Sequence, residues 1–483
     1  MLCRVWVVSV LGLLLLSLSN IFLTLKMIGP REEFSVCRSS PPQFTSDLAS
    51  MKQINLTSYL AFLRDTHTLS DAHQKPCGDP EWAIESSSTP PQSAFTVDVF
   101  SGRWDTRREY KIHDSVYRGP RYPTLARESQ VTLATQSSVD RLFWIVQVAR
   151  HWLGPISIAV FTPDVEFGIA KEYLKYLISC FPYVGDKIII HFAYPKDRPP
   201  RPLDAESSGD FLALCHEPVT VLKNLLGQRS KQMMAWREKL SYPQNLLRNV
   251  ARQNCHAEFV FIVDVDIVTP PEMFEKLDAF LRTSAVQSCD KCAFVIPTYE
   301  IDEKAPLPSN VSDMLALVQA GRARPFHEKV FIHNQFSTNF SLWQANVGEW
   351  LDRSGRATES PVFISHDVTF EFFYEPFYVA RDAYPAHDER FVGFGFNRNT
   401  QTYEMLVAGW KFKVLAPIFS IHWGMQTKKG RPRWRETQNQ NNRKLFEDFK
   451  REITVKYKSD PLGMMKPKPK PAPLSWKRGK TAS

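Results

Sequence analysis

From residue 129 onward the chain alternates two hydrophobic rhythms. The runs VTLAT (131–135), ISIAVF (156–161) and KIIIHFAY (187–194) are short, apolar and rich in β-branched residues, the pattern of strands buried on both faces. Between them, segments such as SVDRLFWIVQVARHW (138–152) carry apolar residues at helical spacing. The turn signal Tyr242-Pro243 introduces a further helix over NLLRNVARQ (245–253), which feeds into the strand-like start of FVFIVDVDIVTP (259–270). This alternation predicts an α/β domain over 129–457. Its last element is a helix over RKLFEDFKREITVKY (443–457), whose interleaved acids and bases form a solvated face.

The flanks read differently. Residues 5–25 form an apolar run, between Arg4 and Lys26, that is long enough to cross a bilayer. The run exceeds an ordinary signal-peptide core and no small-residue cleavage site follows it, so a membrane anchor is expected over a cleaved leader. Residues 1–4 are then a cytoplasmic tail. Residues 26–128, rich in Ser, Pro and Thr with broken periodicity, read as a stem. Sequons starting at Asn55, Asn310 and Asn339 suit a lumenal body. The cysteines beyond the anchor are odd in number, which leaves one thiol over and the pairing open. Cys289 and Cys292 have the spacing of half a zinc site or a redox motif, but no second such pair accompanies them, and loop cysteines of an oxidised domain are the expected reading.

A formal charge of +9 suggests nucleic acid until its location is checked. Lys466, Lys468, Lys470, Lys477, Arg478 and Lys480 supply six of the nine, in a Lys/Pro tail (458–483) that should be extended and solvated. The remainder is only modestly basic, so no nucleic-acid partner is expected.

The apolar run 259–263 ends in Asp264 and Asp266. Residues two apart on an extended chain face the same way, so both carboxylates should meet one spot at the strand's C-terminal end, where open α/β sheets bind ligands. A carboxylate there is costly unless something cationic meets it. No GxGxxG turn follows an early strand and no GxxxxGK[ST] loop is present, so neutralising a diphosphate would fall to a hard divalent cation held by the pair. An Asp-x-Asp triplet alone is common by chance. At the end of a buried strand, behind an anchor and a stem, it points to a sugar-nucleotide transferase.

Five stretches carry a family resemblance. VTLATQSSVDRL (131–142), HWLGPISIAV (151–160), YPQNLLRNVA (242–251), FVFIVDVDIVTP (259–270) and DERFVGFGFNRNTQTYEMLVAGWKFKVL (388–415) resemble glycosyltransferase family forty-nine, across roughly 129–457. The likeness is to its β-1,4-glucuronyltransferase type and to the glucuronyltransferase half of the LARGE enzymes, without a separate xylosyltransferase domain before residue 129. The resemblance implies a GT-A type nucleotide-diphospho-sugar transferase fold, as a single catalytic domain behind the anchor and stem of a type II Golgi membrane protein. It further implies transfer of glucuronate from UDP-glucuronic acid, with Mn2+, in β-1,4 linkage to a xylose-terminated acceptor on the O-mannosyl glycan of α-dystroglycan. A complex with LARGE-type enzymes is a further implied partnership. The alternatives are a LARGE-like β-1,3-glucuronyltransferase or an N-acetylglucosaminyltransferase on the same fold, and, in another class, an inactive lumenal binding or chaperone protein.

Asp264 and Asp266 match the family's metal-binding Asp-x-Asp, and His422 in FSIHWG (419–424) resembles the late histidine that completes the metal site, a satisfied core or surface histidine being the alternative. An α-linked donor and a β-linked product require inversion, hence a carboxylate that takes the acceptor's proton opposite the departing UDP. The candidates are Asp388, Glu389 and Glu375, with Asp388 preferred. Thr135, Gln136, Asn245 and Arg248 are expected on the nucleotide side with Asp264. Arg248 or Arg398 could pair with the glucuronate carboxylate, or be an exposed structural salt bridge. Asp140 reads as a helix cap, and the aromatic cluster Phe370, Phe372, Phe373, Tyr374, Phe377 and Tyr378 as core before acceptor platform.

Overall fold

The structure, a computed structural model, describes residues 101–201, 203, 214–354, 362–427 and 433–465. The expected anchor, most of the expected stem with Asn55, and the basic tail beyond residue 465 lie outside the described residues. Among the described residues no helix is long and apolar enough to cross a membrane.

The strands, in chain order, are β1 (Arg103–Trp104), β2 (Tyr110–Arg118), β3 (Val131–Ser138), β4 (Ile156–Phe161), β5 (Ile188–Pro195), β6 (Phe259–Ile262), β7 (Ile267–Val268), β8 (Cys292–Val295), β9 (Thr298–Ile301), β10 (Ala323–Pro325), β11 (Phe363–Asp367), β12 (Tyr378–Arg381), β13 (Lys411–Ala416) and β14 (Ser420–Trp423). The larger sheet runs β1-β2-β5-β4-β3-β6-β12-β8-β13-β11, and a smaller one runs β10-β9-β14-β7. At the centre of the larger sheet β5, β4, β3 and β6 are parallel. Every residue of β4, β5 and β6 is buried, which is why their sequences are continuous apolar runs rather than alternating ones. The chain steps outward from β3 to β4 to β5 and then returns to lay β6 on the other side of β3. That reversal opens a crevice beyond the C-terminal ends of β3 and β6.

The folded body starts earlier than residue 129. β2 pairs antiparallel with β5 and β1 with β2, and Tyr122, on the helix Tyr122–Glu128, packs on Ile189. These residues were expected in the stem because β2 lies toward the sheet edge and is only partly buried, so it needs no continuous apolar run. The helical pattern at 138–152 divides into a 3-10 segment (Val139–Trp144) and an α-helix (Ile145–His151).

Three helices position the crevice: α1 (Gln244–Gln253), α2 (Arg398–Val407) and α3 (Arg433–Tyr457). In α1 the polar residues Asn245, Arg248, Asn249 and Arg252 are buried along with Leu246, Leu247 and Val250. A helix that buries its polar face needs partners for each group inside the molecule. α3 begins ahead of the expected 443 and packs Phe446, Phe449 and Ile453 against Phe391, Tyr403 and Val407. Cys289 and Cys292 are bridged to each other, and Cys180 to Cys215; among the described residues Cys255 is the free thiol.

Candidate active site

Asp264 and Asp266 stand at the crevice, each with its own partners. β6 ends at Ile262, and a turn follows in which the Ile267 N–H donates to the Asp264 carbonyl at 3.0 Å. Same-face spacing holds only for an extended chain, and across this turn the two carboxylates take different partners. Asp264 Oδ1 accepts from Arg248 Nη2 at 3.0 Å and from Arg398 Nη2 at 2.9 Å. Asp266 Oδ2 instead accepts from Arg141 Nη1 at 3.2 Å and lies 3.8 Å from His422 Nε2. His422 reaches it because β14 pairs with β7, setting His422 opposite Ile267.

Both arginines around Asp264 are about 5% exposed, so they are not the surface salt bridges that a sequence leaves open. Arg248 also donates to Asn245 Oδ1 (3.0 Å) and Asn397 Oδ1 (3.1 Å), and the Arg398 guanidinium lies over the Phe377 ring, 4.3 Å from its centroid. Burial pushes the Asp264 carboxyl up, but Arg398 and Arg248 outweigh it and hold the group well below the usual carboxylate range. Gln136, from β3, hydrogen-bonds the same carboxylate and accepts from the Tyr242 hydroxyl. Two guanidiniums facing one carboxylate leave the cluster cationic.

Asn245 is fully buried, and its amide donates to the Asp388 and Asn397 carbonyls at 2.9 and 3.2 Å, so it braces the loop 388–397. Thr135 is fully buried within β3. Asp140 caps no helix: it is the acceptor for Arg229 and Arg237, which also face the buried Glu166.

The donor chemistry at Asp266 fits a divalent metal. His422 Nδ1 lies 2.9 Å from the Gly424 carbonyl, so Nδ1 carries the proton and Nε2 presents its lone pair on the Asp266 side, with Gln426 Nε2 3.4 Å away. A carboxylate beside a neutral imidazole nitrogen suits first-row divalent ions. Among the described residues no three His, Cys, Asp or Glu side chains are grouped to hold a metal. The protein side therefore offers two donors, and the other positions are open to phosphate oxygens and water.

With this geometry in view, comparison with known proteins decides the family. The profile of the family described as "Glycosyl-transferase for dystroglycan" matches residues 130–458. The chain belongs to this glycosyltransferase family. It is 33% identical to the Bos taurus protein named Beta-1,4-glucuronyltransferase 1 over 370 residues, covering 76% of this chain and 84% of that one. It is 27% identical to the Homo sapiens Xylosyl- and glucuronyltransferase LARGE1 over 305 residues, covering 62% of this chain and 32% of that one. Among solved structures, GalNAc-T7 with UDP, GalNAc and Mn2+ aligns at a TM-score of 0.33 and 7% identity, over 68% of this chain and 50% of that one, too distant to bear on the site.

In this glycosyltransferase the three carboxylates considered as base have different surroundings. Asp388 is gripped by Arg390, whose Nε donates to both carboxylate oxygens (3.0 and 2.9 Å) and whose Nη2 donates to Oδ2 at 2.6 Å; the same arginine reaches Glu452. Glu389 Oε1 accepts from Asn249 at 2.8 Å, and its charged neighbours are Asp105, Arg107 and Arg103. Glu375 stands in the field of Arg398, Arg248 and Asp264. Burial pushes its carboxyl up to about 7, the two arginines pulling against that shift and Asp264 adding to it. Its Oε2 accepts from Asn334 Nδ2 at 2.9 Å.

Tyr374, Phe377 and Tyr378 are core, as the aromatic pattern predicts. Phe373 is 40% exposed and meets the exposed Phe331 edge-on at 5.5 Å. The segments that carry the two rings are joined next to them in the chain: the Glu375 N–H donates to the Asn334 carbonyl at 2.9 Å and Gln335 Nε2 to the Glu375 carbonyl at 3.0 Å. Arg141, Asn334, Asn397 and Gln426 escaped sequence reading. Arg141 and Asn397 had only their places in the blocks 131–142 and 388–415 to mark them, and Asn334 and Gln426 sit in no quoted motif.

Proposed function

We propose that the chain is an inverting, metal-dependent glucuronyltransferase of GT-A type. On this reading it moves glucuronate from UDP-glucuronic acid to a xylose-terminated glycan of the α-dystroglycan kind, in β-1,4 linkage. The observation that carries the reading is the pairing of Asp266 with His422 beside the cationic Arg248–Asp264–Arg398 cluster, all at the sheet's switch point. An anionic nucleotide with an anionic sugar needs positive charge on both sides of its diphosphate. Asp266 and His422 would hold Mn2+, which when bound supplies charge neutralisation of the leaving diphosphate. Arg248 and Arg398 supply the remaining positive field, and Asp264 fixes their orientation. The relatives' names supply the donor and the linkage.

Glu375 takes the acceptor hydroxyl's proton. A carboxyl with a pKa of about 7 is mostly ionised just above neutrality and still basic enough to accept a proton. Turnover should therefore rise with pH through about 7 and level off above it, because only the deprotonated form acts as base. Glu375→Gln is expected to lower kcat by about 100-fold or more and to remove that rise. A pH–rate profile unchanged by the substitution assigns the base elsewhere.

The exposed rings beside Glu375 form the acceptor side. Phe373→Ala is expected to raise the acceptor KM roughly fivefold, as loss of about 1 kcal/mol of aromatic contact would, with kcat little changed. An unaltered KM moves the acceptor off this face.

The body is taken as the lumenal part of a type II Golgi protein. Asn310 and Asn339 support this, since both are exposed at helix starts, as do the two disulfides. Digestion of the body by protease added outside sealed microsomes would overturn the orientation. The reaction is tested by UDP release across a panel of UDP-sugars with a β-xyloside acceptor, with and without Mn2+. Release from UDP-glucuronate that needs both acceptor and Mn2+ is expected; release from another donor alone replaces the glucuronate assignment.

A further inference from the structure

Glu300 on β9 is a fully buried carboxylate that no step above uses. Sheet register sets it between Arg324 on β10 and His422 on β14. Its Oε1 accepts from Arg324 Nε, and its Oε2 accepts from the backbone N–H groups of His327 (3.4 Å) and Gln426 (3.3 Å). Arg324 Nη2 completes the grip by donating to the Gln426 carbonyl at 2.7 Å. An ionised carboxylate accepts several hydrogen bonds at once, so this one group ties together β10, the turn at His327 and the segment after β14.

Each arm of the clamp ends at a group proposed to react. Gln426 Nε2 lies 3.4 Å from His422 Nε2. His327 Nδ1 lies 3.1 Å from Nδ2 of Asn334, the amide that donates to Glu375. Phe326, stacked on His327 at 3.9 Å, also packs against the His422 ring at 5.1 Å, so the turn that Glu300 holds forms a wall of the metal nitrogen. A buried ion pair is weak evidence for stability, because desolvation offsets much of its attraction, and it calls for another role.

We propose that Glu300, clamped by Arg324, is a positioning residue that holds the His422 imidazole and the Glu375 carboxylate in fixed relation to each other. The inference rests on the roles proposed above for His422 and Glu375 and deepens them by naming what aligns them. Hydrogen-bond partners of metal-binding histidines typically change metal affinity by about 10–100-fold when lost, and Glu300 acts one link further out, through Gln426, so the low end is expected.

The test uses the full-length protein in detergent. Glu300→Gln keeps the side chain's volume but puts an amide NH2 where an acceptor is needed. Arg324→Lys keeps the charge and loses the bond to the Gln426 carbonyl. Mn2+ binding in the presence of UDP is read from the electron paramagnetic resonance of the free ion, which needs no turnover. Both variants are expected to weaken it about tenfold. At saturating Mn2+ both are expected to show kcat lowered about tenfold with the KM for UDP-glucuronate within about twofold, the mark of a displaced base rather than lost donor binding. If Glu300→Gln does not fold, Arg324→Lys decides. Folded variants that bind Mn2+ and turn over as wild type, whatever their melting temperature, reduce the clamp to a structural strut and overturn the inference. Wild-type protein that binds no Mn2+ overturns the site reading and this inference with it.

Discussion

Asp266→Ala is expected to fold normally and to lose about 1,000-fold of the glycosyl-transfer rate, the equivalent of some 4 kcal/mol of charge stabilisation under the metal role proposed for it. The fold survives because Asp266 and its partner Arg141 are 23% and 38% exposed, so the substitution leaves no charge stranded in the interior. Exposed pairs of this kind contribute about 1 kcal/mol or less. His422 keeps its bond to the Gly424 carbonyl and stays oriented, so the substitution removes one of the two donors proposed for the metal. The measurement is UDP release at saturating donor and acceptor alongside a thermal melt. Activity within tenfold of wild type, at an unchanged melting temperature, removes Asp266 from the reaction.

Asp264→Ala behaves differently, because the neighbouring carboxylate has a different job. It leaves Arg248 and Arg398, both nearly inaccessible to water, without the one acid they share. Breaking a buried pair by deleting one partner costs about 3–5 kcal/mol, and the low end, about 3 kcal/mol, is expected because Asp264 itself is 31% exposed. Asp264→Asn keeps an acceptor for both guanidiniums but not the charge, so a smaller loss is expected from it. The pH dependence follows from the direction of the shift. With the folded-state carboxyl held below the usual range, its stabilisation is complete above that range and is lost as pH falls through the depressed folded-state value. Asp264→Ala should therefore flatten the acid side of the stability profile, measured from denaturant midpoints at several pH values. A variant within about 0.5 kcal/mol of wild type across that range would falsify the shared-counterion role.

These two effects separate a pair that sequence spacing treats as one. Along an extended strand Asp264 and Asp266 face the same way, and the family motif assigns them a joint task. The turn after Ile262 gives one to the arginines and the other to His422. The carboxylates weighed as the proposed base show the same division. Asp388 lies in a glycine-bearing loop that invites a catalytic reading, yet Arg390 already grips its carboxylate, whereas Glu375, half-buried among aromatic residues, lies in the electrostatic field of the arginine cluster.

The sequence by itself determined the buried strands β3 to β6, the helix that leads into β6, the family, and a short list of charged residues that contains the crevice. Apolar periodicity is a local property of the chain, and burial on one face or two is written into it directly. Strand β2, next to the sheet edge, was not legible, since a partly exposed strand carries no continuous apolar run. Only the tertiary structure decided which charges meet. Arg398 and Asp264 are 134 residues apart in the chain, and Glu300 and Gln426 are 126 apart. The energy of an ion pair depends on distance and on exclusion of water, and both are set by how the sheets close rather than by any spacing in the sequence.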